Sequence, residues 1–163
     1  RKYNAPKRGS IAIPQPGTGS AAFQCPIECQ PIITTQFGDS TFLGLHNALD
    51  IVCADRETLD APLRAPFSGK IYPLEGGACG KSVTIRTVDP ENKWTARYCH
   101  LNRYAPGISY GDTIQAGTVV GYIGNTGTSS GPHLHICMQN AGGGCLQDEP
   151  ANVNPQNIIS CLK

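Results

Sequence analysis

The run Lys81-Ser82-Val83-Thr84-Ile85-Arg86-Thr87-Val88 alternates between apolar and polar residues. Val83 and Ile85 fall on one face, and Ser82, Thr84 and Arg86 on the other, which is the period of a β-strand. Asp89-Pro90-Glu91-Asn92 follows, a sequence of turn-forming residues, and then a second β-rich run, Lys93–Leu101. Two such runs across one turn predict an antiparallel hairpin. A turn centred near Pro90–Glu91 brings Cys79 and Cys99 close together across it, within reach of a disulfide.

The same pattern extends outward from this hairpin. Ile32–Gln36, Phe42–Leu45, Pro66–Pro73, Asp112–Gln115, Val119–Ile123 and His133–Met138 are short runs, rich in β-branched residues and bounded by turn signals, and each predicts a strand. No 12-residue window carries helical periodicity, and only Asn154–Cys161 suggests a short helix. The expected fold is all-β: mainly antiparallel sheet with long loops, stapled by disulfides. Residues 1–24 are rich in Pro, Gly and Ser and show no periodicity. They are read as a flexible basic N-terminal arm, and 25–163 as one folded domain.

Composition narrows the function classes. Of 163 residues, 39% are hydrophobic, enough for one core, and only 15% are charged. That excludes a disordered chain, a coiled coil and a charged helix bundle. No apolar run approaches the roughly 18 residues that would span a bilayer, so no membrane insertion is expected. The net charge of +1 is uneven. Arg1, Lys2, Lys7 and Arg8 make the arm basic, while the rest has nine bases against twelve acids. A nucleic-acid partner is therefore not expected for the folded body. Such a charged end is most often a solvated terminus; beyond that it has two readings, contact with an anionic polymer or cover for a groove. Deleting it and assaying at low and high salt separates them, because only a charge effect fades with screening.

Eight cysteines, Cys25, Cys29, Cys53, Cys79, Cys99, Cys137, Cys145 and Cys161, are spread along the chain. An even number in a small chain points to disulfides and an oxidising, extracellular location. Cys25 and Cys29 have no matching second pair, which argues against a cysteine-based zinc ribbon. Eight cysteines allow 105 pairings, and sequence alone does not choose among them. A start at Arg1, with neither Met nor a signal peptide, is expected of a processed secreted chain.

Only four histidines are present: His46, His100, His133 and His135. In His133-Leu134-His135 both imidazoles project from one face of a strand, while Leu134 points to the other. His46 and Asp50 share a face whether their segment is a strand or a helix. Together these pairs offer imidazoles and one carboxylate, the donors zinc takes in catalytic sites. The run Gly124-Asn125-Thr126-Gly127-Thr128-Ser129-Ser130-Gly131 lacks the Gly-Lys-Ser/Thr of a phosphate loop and is read as a flexible loop leading into His133. Ser129 and Ser130 have no nucleophile elbow around them, and paired cysteines are no nucleophiles.

Three features in order resemble one family: His46-x-x-x-Asp50, the Tyr98-Cys99-His100-Leu101 strand, and Gly121-Tyr122-Ile123-Gly124-Asn125-Thr126-Gly127-Thr128-Ser129-Ser130-Gly131-Pro132-His133-Leu134-His135. They look like the lysostaphin-type, LytM-like zinc metallopeptidases, over a stretch from about Leu45 to Met138. Gly111-Asp112-Thr113-Ile114-Gln115-Ala116-Gly117 matches a turn of the same family. The resemblance implies Zn2+ held by His46, Asp50 and His135, with His100 and His133 as catalytic histidines. It implies an antiparallel sheet with a groove, and a secreted endopeptidase acting on the peptides of bacterial peptidoglycan, at a stem peptide or a cross-bridge. Such a site leaves one zinc position for a water whose pKa falls toward about 7. No H-E-x-x-H helix supplies a Glu base, so histidine is the expected base.

This chain departs from the family twice. Ala48 stands where the family usually has Gly, which is tolerable unless that backbone has positive φ. The cysteines are unusual for bacterial members and resemble the animal leukocyte-derived chemotaxin branch, a zinc-binding relative that lacks a histidine matching His100 and is not known as a peptidase. By that resemblance, Cys53 pairs with Cys25 or Cys29. The alternative function is thus a non-catalytic extracellular signalling or binding protein with structural zinc. A third is a peptidase of glycine-rich extracellular proteins. The presence of both His100 and His133 favours an enzyme. The oligomeric state is not legible in the sequence.

Overall fold

The computed structural model describes residues 23–146, 149 and 151–163. The described chain forms twelve strands: β1 Pro31–Thr35, β2 Ser40–Thr41, β3 Gly44–Leu45, β4 Leu49–Cys53, β5 Pro62–Arg64, β6 Gly69–Gly76, β7 Gly80–Arg86, β8 Thr95–Tyr104, β9 Thr113–Ile114, β10 Val119–Ile123, β11 Leu134–Gln139 and β12 Asn152–Val153. The main sheet runs β1-β4-β11-β8-β7-β6-β9, with β10 joining β5 to the far end of β8 and β12 on β11. The strand pairings are antiparallel. The all-β, antiparallel expectation is met.

The hairpin that led the sequence reading is β7–β8, paired from Arg86↔Thr95 to Lys81↔Leu101. Val83 and Ile85 are fully buried, as their alternation requires. Ser82 and Thr84, on the opposite face, are buried too. The Gly-rich segment after β11 lies over that face, where Arg86 donates to Gly143 O and Thr95 to Ala141 O. Neighbouring strands add Leu49, Ile51, Tyr98, Leu134, Ile136 and Met138 to the core face, all fully buried. Burying such side chains is the main driving force for the fold, at roughly 1.5–3 kcal/mol each.

Several local expectations are corrected. Phe42–Leu45 is not one strand: the chain turns at Phe42-Leu43, and β2 pairs with β3 across it. The Pro66–Pro73 strand starts later, at Gly69, and runs on to Gly76. Gly69 lies against β7, where a Cβ would stand 2.1 Å from Arg86 O, so only glycine fits. Asn154–Cys161 forms no α-helix but two 3₁₀ turns, Pro155–Asn157 and Ser160–Leu162. The segment is short, and Asn154 caps its first turn by accepting from Gln156 N. β5 and β12 lie outside the expected strands, and β4 covers part of the segment left open between strand and helix.

Four disulfides staple the sheet: Cys25–Cys161, Cys29–Cys53, Cys79–Cys99 and Cys137–Cys145. Cys79–Cys99 is the pair that the hairpin geometry predicted. Cys29 is the partner of Cys53, one of the two expected choices. Of the residues read as an arm, 1–22 lie outside the described residues, so its reading as flexible does too. Phe23 packs edge-on against Phe67 and Trp94. No helix among the described residues is long and apolar enough to cross a membrane.

Candidate active site

Strand register assembles the site. Across the sheet, His135 of β11 stands opposite Asp50 of β4 on one side and opposite Cys99 of β8 on the other. Residues directly opposite share a face, so these three form a row on the side away from the core. The helix alternative for His46–Asp50 is thereby settled: Asp50 is a strand residue whose neighbours Leu49 and Ile51 fill the core. His46 lies just ahead of β4 and reaches the same row.

His100 arrives by a different route. Between Val83↔Tyr98 and Lys81↔Leu101, β7 advances two residues and β8 three. The extra residue is a bulge, and His100 sits in it with φ of 64°. Left-handed backbone costs a non-glycine residue about 1–2 kcal/mol, and bulges of this kind re-aim a side chain. Here the bulge brings His100 to the face that holds His135, with ring centroids 5.7 Å apart. The His100 N–H donates to Cys79 O at 2.8 Å, and the Cys79–Cys99 disulfide clamps the same spot.

The Gly124–Gly131 loop is anchored rather than free. Thr128 N donates to Ala78 O, and Lys81 N to Thr126 Oγ1. Gly127 has φ of 74°, and a Cβ there would meet Ala78 O at 2.4 Å. Glycine thus permits the close approach of this loop to the 77–80 turn. The loop delivers His133, which bridges Gly124 at the start of β11.

Hydrogen bonds fix which ring nitrogen faces inward. A carbonyl oxygen only accepts, so the ring nitrogen bonded to it carries the proton. His100 Nδ1 donates to Thr126 O at 2.8 Å, His133 Nδ1 to Gly131 O at 2.8 Å, and His46 Nδ1 to Gln36 O at 3.3 Å. In His100 and His133 this leaves Nε2 as the basic nitrogen; in His46, Nε2 faces Asp50, to which it donates when the ring is protonated and beside which it can hold a metal when it is not.

Three donor atoms converge: His46 Nε2 is 3.3 Å from His135 Nδ1 and 3.2 Å from Asp50 Oδ1, and His135 Nδ1 is 2.9 Å from Asp50 Oδ1. Tetrahedral ligands at about 2.0–2.1 Å from zinc stand roughly 3.3 Å apart, so this donor set fits such an ion. His133 Nε2 lies 3.5 Å from Asp50 Oδ1, and the His100 and His133 rings are 4.9 Å apart. His100, His133 and His135 form a second donor group that shares His135. All five residues singled out in the sequence are therefore in one cluster.

Charge follows this geometry. Asp50 is partly buried, which alone would raise its pKa, but hydrogen bonds from His135 and His46 hold its carboxyl well below the usual range. Burial would lower His46, yet its hydrogen bond and charge contact with Asp50 raise it above the ordinary value. Burial pushes His100 down to about 4, so it is neutral at physiological pH.

The cluster lies in a cleft of about 810 Å³. The Phe42-Leu43 turn, the Gly76-Gly77 turn, Ser129-Ser130 and Leu146 line it. Arg97 lines it too and had not been singled out in the sequence; nothing in its local pattern marks it. Ala48, the departure from the family glycine, is not among the described residues with positive φ. Its methyl packs with Cys137 and Cys145.

Comparison with known proteins identifies the family. Residues 44–152 match the model of Peptidase family M23. The chain is 34% identical over 93 residues to the glycyl-glycine endopeptidase ALE-1 of Staphylococcus capitis, covering 57% of this chain and 24% of that protein. It is 30% identical over 93 residues to lysostaphin of Staphylococcus simulans, covering 57% of this chain and 18% of that protein. These matches span only about a fifth of the relatives' length. A variant catalytic domain of the prophage-encoded M23 protein EnpA from Enterococcus faecalis superposes with a TM-score of 0.62 at 25% identity, covering 85% of this chain and 97% of that one. With the fold, the cluster and a family match over most of its length, the chain belongs to Peptidase family M23.

Proposed function

We propose that this protein is a secreted, zinc-dependent endopeptidase that cleaves peptide bonds in bacterial peptidoglycan, in a stem peptide or a cross-bridge. The observation that carries the reading is the convergence of His46 Nε2, Asp50 Oδ1 and His135 Nδ1, beside two further imidazoles in an open cleft. His46, Asp50 and His135 would hold the ion. Once bound, zinc supplies an acidified water and a polarised carbonyl.

The chain's own residues do the rest. His100, neutral and fixed by Thr126 O, presents Nε2 as a base for the attacking water. His133, fixed by Gly131 O, presents Nε2 beside it, with the two rings 4.9 Å apart. In protonated form it steadies the developing oxyanion or passes a proton to the leaving amine. Asp50 lowers the net charge of the site and holds the two ligand histidines toward it. The peptide-bond substrate is supported by the relative named a glycyl-glycine endopeptidase, and an oxidising location by the four disulfides. The peptidase domain is read as 25–163, with Phe23 and Gln24 packed onto it, and the residues before them as an arm. The test is hydrolysis of purified peptidoglycan, blocked by chelation and restored by zinc, with the fragments identified by mass.

A second reading, a non-catalytic extracellular binding protein with structural zinc, draws on the four disulfides and on the cysteine placement of the chemotaxin branch. It leaves unexplained why His100 occupies a costly bulge beside the donor set. Peptidoglycan left intact by zinc-loaded protein favours it.

A further inference from the structure

Arg97 stands on the cleft face of β8, one pleat repeat from the active-site row. Its cross-strand neighbour is Cys137, whereas Cys99, two residues on, is the neighbour of His135. Two residues of strand are about 7 Å, the length of two residues in an extended peptide. Among the described residues lining the cleft, Arg97 is the only Lys or Arg.

The guanidinium is poorly satisfied. Its Nε is buried and has no hydrogen-bond partner among the described residues. A buried donor left unpaired costs roughly 1–3 kcal/mol, so such a group calls for an explanation. Among the described residues Glu149 is the nearby acid, and it is engaged elsewhere. Its carboxylate accepts from Gln139 Nε2, Gly144 N and Cys145 N and so holds the segment that carries the Cys137–Cys145 disulfide. Burial pulls the guanidinium pKa down, and Glu149 offsets this only in part; an arginine nonetheless stays charged. Nε itself is enclosed, but the two Nη groups, also without a partner among the described residues, open to the cleft, where a carboxylate can meet a guanidinium with two parallel hydrogen bonds.

From this we infer that Arg97 is a specificity residue which takes a carboxylate of the peptide substrate, one or two residues from the scissile bond and on the Cys145–Leu146 side of the cleft. This rests on the peptidase reading and deepens it: the preferred substrate is an acidic peptide, and amidating its carboxylate weakens recognition.

The test uses zinc-loaded protein and fluorescent glycine–alanine heptapeptides in which one glutamate, or glutamine in its place, is walked along the chain. The wild type should prefer glutamate over glutamine roughly tenfold or more in kcat/KM at one or two positions, the range of a charge-assisted hydrogen bond. R97Q should bring that ratio close to one, and R97K should retain part of it, because the charge remains and the fork is lost. Circular dichroism checks that both variants fold; if R97Q does not, the reduced ratio in R97K decides. A wild type indifferent to the carboxylate, or variants with an unchanged ratio, overturns the inference. If no peptide is cut, the peptidase reading has lost support. Fluorescence anisotropy of the same peptides then reads the preference by binding, and the same two outcomes decide.

Discussion

The Nδ1 atom of His100 lies 2.8 Å from the carbonyl oxygen of Thr126, and this contact fixes the tautomer of the ring. Thr126 is held in turn, through its hydroxyl, to Leu101 O and Lys81 N. The glycine-rich loop and the β7–β8 hairpin therefore act together to leave Nε2 of His100 as the free base.

Replacing either outer histidine should separate chemistry from metal binding. H100A and H133A should keep about one zinc per chain while kcat falls by about 10²–10⁴, the usual contribution of a general acid or base. Metal analysis beside peptide hydrolysis checks this. Full turnover in either variant removes that histidine from the mechanism.

The Cys79–Cys99 disulfide should matter to both stability and rate. It closes a loop of 20 residues, for which chain entropy gives about 3 kcal/mol. It also braces the bulge that carries His100. The double variant C79S/C99S should unfold at lower denaturant concentration. In its folded form it should retain zinc but turn over more slowly. An unchanged kcat would limit the bridge to a structural role.

Burial of His100 sets a pH dependence in the metal-free protein. Its folded pKa, about 4, lies below the ordinary value of 6.5. Between these values the unfolded chain binds a proton that the folded chain does not, so stability falls as pH drops from 6.5 to 4. The loss has an upper bound on the order of 3 kcal/mol. In that window His46, whose pKa is raised, is protonated in both states; its stabilising share is lost above 6.5, as pH rises through its folded value. Asp50 stays ionised in the folded state throughout; in the unfolded state it begins to protonate toward pH 4, a contribution common to wild type and variant. Urea unfolding of metal-free wild type and H100Q across pH 7 to 4 should show a shallower decline in the variant. Parallel curves would contradict this account of His100.

The sequence showed most where one element carried both its pattern and its boundary. Lys81–Arg86 alternates and ends at a strong turn, so the hairpin and its Cys79–Cys99 bridge were readable from local order. His133 and His135 were placed together by the two-residue period of a strand. β4 was ambiguous, because His46-x-x-x-Asp50 suits both periods, and only pairing with β1 and β11 resolves it. The His100 bulge has no local signal, since left-handed backbone usually goes to glycine and here tertiary contacts impose it on a histidine. Arg97 was invisible for a similar reason. The burial of its Nε, unpaired among the described residues, depends on strands and segments distant in sequence, β11 among them.

The most direct test of the central claim couples metal content to hydrolysis. Purified wild type, H46A, D50A and H135A are analysed for zinc and assayed on purified peptidoglycan with and without a chelator. The expected result is about one zinc per wild-type chain and chelator-sensitive cleavage, with metal and activity lost together in all three variants. Wild-type protein that cleaves peptidoglycan without metal, or variants that keep both zinc and activity, would contradict the account.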